Sequence, residues 1–280
     1  MQMKYGQGSL GIYDPESGAS WGPEITGQSY TRWDGANVTM KAYDNVASFF
    51  DTGINNQQNI TFQQQYGNNG IYASFTRMND DSMIPYAGIK RTNLMLRGTS
   101  VFGKNNRWSF DGKVQYIKSG ASNRPISGSN ASSSFIQMFN LPVSIDVTEF
   151  ADPLDANGNM YWYSGLSDNN PYWIAKYRQS EDTRDRFLLT GTLKYKFTDW
   201  LDAELRAGSD MYTTETTNKI YGGNQHLANA KGSYSMSESR FFENNFSFLL
   251  TAKKDNLWDE FGAQAQFGGN LMERENRGLS

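Results

Sequence analysis

Few residues in this chain of 280 are equipped for chemistry. There is no cysteine, which excludes disulfides, thiolate metal sites and cysteine nucleophiles. The one histidine, His226, falls in a polar stretch and leaves little room for a histidine-based metal site or a protease triad. Asp152, Asp155, Asn157 and Asn159 have something of the spacing of a calcium loop. The glycine such a loop needs is replaced by Met160, and the position of its bidentate glutamate holds Leu166. An Asx-type turn is expected there instead. No glycine-rich loop leads to Lys-Ser or Lys-Thr, so a phosphate-cradling loop is absent. Neighbouring carboxylates at Asp80 and Asp81, and at Asp259 and Glu260, read as solvated pairs. The expectation is a protein that is not an enzyme, with no catalytic residue, no cofactor and no metal.

Aromatic residues make up 14% of the chain, with 17 Phe, 16 Tyr and 7 Trp. Many fall in segments without regular alternation. Met160 to Tyr163 reads Met-Tyr-Trp-Tyr, Asn170 to Trp173 reads Asn-Pro-Tyr-Trp, and Trp21, Tyr30 and Trp33 lie upstream. Rings on loops can stack on sugars or on peptide side chains. Trp33, Tyr161, Trp162, Tyr163, Tyr172 and Trp173 are therefore the candidate substrate contacts. The competing reading, favoured for any single ring, is that they pack the loops into a rigid cap.

These loops need elements to hold them, and the dominant pattern is alternation with period two. Apolar residues share one face in Ile60–Phe62–Tyr66, Ile71–Ala73–Phe75, Leu94–Leu96 and Trp108–Phe110–Val114–Tyr116. The pattern returns in Phe187–Leu189–Leu193–Tyr195–Phe197, Leu201–Ala203–Leu205–Ala207, Phe246–Phe248–Leu250–Ala252 and Phe261–Ala263–Ala265–Phe267–Leu271. The opposite faces carry Asp111, Lys113 and Gln115, then Lys194 and Lys196, then Asp202, Glu204 and Arg206, then Gln264 and Gln266. About eight strands are expected, each roughly nine to twelve residues long, which suits a tilted strand crossing a bilayer.

The connections alternate strictly between short and long. Short ones are expected at Gly67–Gly70, Gly103–Arg107, Thr198–Trp200 and Lys253–Asn256. Long ones are expected at Asn79–Lys90, Ser119–Thr183 and Ser209–Ser239. A soluble sandwich has no reason to gather its short turns at one end. A transmembrane β-barrel does, with short periplasmic turns and long extracellular loops. By that parity Gln7 to Asn56 is another outside loop, and Met1 to Gly6 is the stub of an earlier strand. Aromatics beside the short turns (Tyr66, Phe102, Trp108, Phe197, Trp200, Trp258 and Phe261) fit an interfacial girdle. Around Thr198-Asp199-Trp200, Lys196 should face Asp202 and Lys194 should face Glu204. Within the longest loop, Ser132 to Leu141 reads as a short helix stopped before Pro142.

Composition agrees with a strand-built membrane protein and excludes others. Mean hydropathy is −0.67 and no run of 18 apolar residues exists, so no membrane-spanning helix is expected. A net charge of −3 argues against nucleic acid as the partner. Met1 to Gly11 has no apolar core, so no signal peptide is read there.

Certain residues occur in an order that resembles a known family. Trp21-Gly22-Pro23 precedes Asn45-Val46-Ala47-Ser48-Phe49-Phe50-Asp51-Thr52-Gly53. Then follow Asn170-Pro171-Tyr172-Trp173, Asp185-Arg186-Phe187, Phe197-Thr198-Asp199-Trp200-Leu201, and Arg206, Gly208, Asp210 and Tyr212. This set, spread over essentially the whole chain, resembles the SusC/RagA type of TonB-dependent outer-membrane transporter of Bacteroidetes. The resemblance implies a barrel of about 22 strands with a plugged lumen, in the outer membrane of a Gram-negative cell. It implies import of glycans or peptides, a SusD-like surface lipoprotein as lid, and TonB as energy source through an N-terminal plug. Residues 1–280 then read as one internal piece from the early part of that barrel, without plug or C-terminal strands. Two other readings are a stand-alone eight-stranded outer-membrane barrel for adhesion or structure, and a secreted carbohydrate-binding β-sandwich.

Overall fold

The computed structural model describes residues 2–126, 132–164, 169–223, 231–258 and 261–279, with only the backbone of 257 and 258. Two short strands come first, β1 (Ser29–Thr31) and β2 (Asn37–Thr39), then helix α1 (Asn45–Phe49). A meander follows: β3 (Ile54–Tyr66), β4 (Asn69–Asp81), β5 (Gly88–Phe102) and β6 (Trp108–Ser122). After helices α2 (Ser134–Asn140) and α3 (Pro171–Tyr177) it resumes with β7 (Arg178–Lys196), β8 (Leu201–Ile220), β9 (Ser233–Trp258) and β10 (Phe261–Leu279). Strands β3 to β10 form one antiparallel sheet in sequence order, an all-β barrel segment with each of the eight expected strands present.

The alternation places side chains as the sequence implies. Phe110, Leu193, Leu205 and Phe248 are in register on four successive strands, and three of them are 43%, 58% and 45% exposed in that series (Phe110, Leu205, Phe248). The apolar face is the open one, and no second layer of described residues covers it. Beside it, a Cβ on Gly112 would meet the Phe110 ring at 2.6 Å, so glycine there lets the ring lie flat on the sheet.

The apolar band crosses the strands obliquely. Ile60 on β3 shares a row with Phe75, Leu94, Tyr116, Phe187, Met211 and Phe242, and that row ends on β10 at Glu275. The same face of β10 becomes apolar only at Leu271, four residues nearer the short turns. Such drift is the signature of strands tilted to the axis of a barrel. On β6 the band runs from Trp108 to Tyr116, eight steps of about 3.4 Å, or about 20 Å of height at a tilt near 40°. Beyond it the same face carries Lys118 and Asp185, whose charged ends lie 4.0 Å apart. At the short-turn edge Phe102, Trp108, Tyr195 and Phe197 form a run of contacting rings, Trp108 and Tyr195 only 4.4 Å apart. Phe102, Trp108 and Phe197, expected beside the short turns, thus lie together at this edge; Trp258 lies outside the described side chains.

Several boundaries differ from expectation. Strands are 13 to 26 residues long, so they outrun the apolar band. Ser209–Ser239, expected to be a loop, is mostly strand, because β8 reaches Ile220 and β9 begins at Ser233. Thr213, Thr214, Thr216 and Thr217 favour extended backbone, yet both faces are polar there, so hydropathy gave no alternation. Lys253–Asn256 is likewise strand, with Lys253 opposite Gln264. Met1–Gly6, expected to be a strand stub, is none over its described residues 2–6: Tyr5 makes an isolated bridge to Glu24. In the 197–200 turn the register is as expected, Lys196 opposite Asp202 and Lys194 opposite Glu204. The ion pair is diagonal instead, Lys194 to Asp202 at 2.8 Å, while Glu204 takes Arg206.

The buried core lies in the cap, away from the sheet. Phe49, Met138, Leu141, Ile145, Val147, Phe150 and Tyr163 form it, with Trp33, Phe50, Tyr161, Trp162 and Tyr172 packed around. It joins residues 2–53 to residues 132–177 at the end of the sheet opposite the short turns. Asn45 ties them internally: its amide donates to the Ile145 carbonyl at 2.8 Å and its oxygen accepts from the Val147 N–H at 3.0 Å. Arg32 does so at the surface, bonded to both Asp34 and Glu149, and it holds the Asp34 carboxyl below the usual carboxylate range.

Candidate functional site

Three surfaces can meet other molecules: the apolar face of the sheet, its polar face, and the cap with the space beneath it. The apolar face carries two shallow grooves, one of about 700 Å³ along Phe110, Leu193, Leu205, Phe246, Phe248 and Leu271. The other, of about 380 Å³, follows Ile60, Phe62, Phe75, Leu94, Leu96 and Val114. A sheet this apolar on its open side demands a non-aqueous neighbour.

The polar face is a wall of paired charges and amides. Arg97 holds Asp111 through two bonds of 2.8 and 2.5 Å, and Arg186 holds Asp210 through two of 2.8 and 2.6 Å. Gln63, Gln65, Tyr72, Arg97, Asp111 and Lys113 line a concavity of about 650 Å³. Nearer the cap, Arg184 lies 4.7 Å over the Tyr212 ring. Tyr212 stacks on Phe241 at 4.7 Å and 15°, and Arg274 covers Phe241 at 5.0 Å.

This geometry matches solved structures. No family model matches the chain, and no curated protein matches it. The RagAB peptide transporter superposes on 85% of this chain with a TM-score of 0.66 at 19% identity. The RagAB peptide importer does so in its closed-closed state at 20% identity and in its open-open state at 19%, both with the same coverage and score. The chain has the fold of a stretch of RagAB. It spans only 26% of the length of those structures. No described helix is long and apolar enough to cross a membrane, which says nothing of strands.

The six candidate aromatics come together in the cap, mostly turned inward. Trp173 is 1% exposed and Tyr163 7%, so neither ring offers a face to an incoming ligand in this arrangement. Trp33, Tyr161, Trp162 and Tyr172 flank the core. Trp33 meets Phe150 at 5.5 Å and Tyr161 at 5.7 Å, while Trp162 meets Phe150 at 4.7 Å. These four keep partial exposure at the margin of the cap. Asp155 forms the expected turn, accepting from the Asn157 and Asn159 N–H groups, and these bonds hold its carboxyl below the usual range. Among the described residues no cluster of metal-ligating side chains occurs; His226 lies outside them.

Sequence reasoning missed the polar residues that build this end. Asn170 is fully buried. Its oxygen caps α3 at the N–H groups of Tyr172 and Trp173, and its amide donates to the carbonyls of Phe150 and Tyr161. Asn followed by Pro at a helix start was the available signal. Arg178 had none. At the head of β7 it lines a cavity of about 450 Å³ between cap and sheet, and burial alone pulls its guanidinium below its usual range.

Proposed function

We propose that this chain is wall and cap of a SusC-type outer-membrane nutrient importer. Its apolar band sits in the outer-membrane bilayer of a Gram-negative, Bacteroidetes-like cell and its polar face lines the lumen. The single observation that carries this reading is the oblique, uncovered apolar band, bounded by rings at one edge and charges at the other. A soluble sandwich would bury that face, and the fold shared with a peptide transporter supports the same conclusion. The substrate is a short peptide by preference, or an oligosaccharide, captured under the cap. A SusD-like lipoprotein closes over it, and TonB supplies energy through a plug. Catalysis has no part: the work is capture and gating. The exposed edges of Trp33, Tyr161, Trp162 and Tyr172 remain the proposed loop contacts, with Tyr163 and Trp173 holding them in place.

The test is uptake of a labelled oligopeptide, and separately of a labelled oligosaccharide, by cells carrying the full-length protein. Accumulation of one of them that stops when TonB is removed is the expected result. No accumulation of either, or accumulation indifferent to TonB, would sink the proposal.

A further inference from the structure

The cavity between cap and sheet has a charge imbalance. Its charged lining residues among those described are Arg124 and Arg178. Arg124 is satisfied by Asp182, at 2.5 Å and 3.1 Å. Arg178 is not: its partner is the Ser132 hydroxyl, and no described carboxylate reaches it. A guanidinium presents five donors in a planar fork matched to a carboxylate, and leaving one half-buried with a single hydroxyl as partner is costly. The surroundings are those of a ligand site. Phe135, Ile174 and Ile126 supply apolar wall, and Asn218, Ser233 and Ser235 bring polar groups from the ends of β8 and β9. The volume, about 450 Å³, is in the usual range for small-ligand sites. All these groups come from this chain.

We infer that the cavity is a carboxylate-binding subsite in which Arg178 grips the C-terminal carboxylate of a peptide, with Phe135 and Ile174 against the last side chain. This rests on the importer reading for the peptide and on the cavity alone for the carboxylate. Such a site selects free acids over amides, because an amide brings its own N–H donors to a guanidinium that has only donors.

The experiment measures binding to the purified full-length protein in detergent. Three probes are used: a tripeptide ending in leucine, its C-terminal amide, and a uronic-acid disaccharide. Wild-type protein is expected to bind the free acid at least tenfold more tightly than the amide. Arg178→Gln should erase that preference, and Arg178→Lys, which keeps the charge but loses the fork, should retain part of it. The wild-type comparison needs no variant and stands even if a substitution loosens the cap. Equal affinity for acid and amide overturns the inference. A preference that survives Arg178→Gln does so too. If the disaccharide binds with the same Arg178 dependence and neither peptide binds, the carboxylate subsite stands and the peptide reading fails.

Discussion

The cap and the sheet use aromatic side chains in opposite ways. In the cap, rings close on one another: Phe150 touches Trp33, Tyr161, Trp162 and Tyr163 and is itself fully buried. In the sheet, rings of similar size stand open, Phe62 at 53% and Phe267 at 70% exposure. The cap carries its own hydrophobic stabilisation in water, whereas the sheet gains its own only where its outer face meets an apolar phase. One chain thus holds two kinds of aromatic surface, one closed on itself and one left open.

Four experiments sharpen this contrast. The largest effect should come from Phe150→Ala, which empties the centre of the cap. A loss of about 3–5 kcal/mol is expected, read as faster proteolysis within residues 132–177 with the barrel still intact. Barrel and cap failing together would erase the distinction. Next is Leu205→Arg, which sets a charge on the open face in the middle of the band. About 2–4 kcal/mol of folding free energy in lipid vesicles should be lost, against little for Arg206→Leu on the polar face. Equal effects would mean the faces are reversed. Asn170→Ala should cost about 1–3 kcal/mol, since it orphans the Phe150 and Tyr161 carbonyls and removes the α3 cap. Its signature is a lower melting temperature for the cap without change in the sheet. The smallest effect belongs to Arg97 and Asp111. A double-mutant cycle should give a coupling near the limit of detection that vanishes in high salt, since both groups are largely exposed. A strong coupling that resists salt would show that this wall is dry.

The same contrast explains what could be read in the sequence. Phe187, Leu189, Leu193 and Tyr195 announce a strand because one face meets a different medium from the other. Where β8 and β9 rise past the band, at Thr213–Ile220 and Ser233–Ser239, both faces meet polar surroundings and the period vanishes. In the cap, Asn45 bonds to Ile145 and Val147, a hundred residues away, through contacts that leave no spacing to detect. The aromatic clusters at 160–163 and 170–173 did mark this region, but type alone does not tell a ring that packs from a ring that binds. Trp173 and Tyr163 prove to be packed. Arg178 stood out only once its partial burial and the lack of a counter-charge among the described residues were visible together.

The cap is strung from the head of β3 and from the facing ends of β6 and β7, so it bridges β4 and β5. The Asp51 N–H bonds to the Met83 carbonyl, and Asn123 bonds to the carbonyls of Tyr86 and Ala175, which fastens the β4–β5 turn beneath it. These strand tips are hooped together and cannot splay one at a time. A pull on any one of them is therefore shared with its neighbours through the cap.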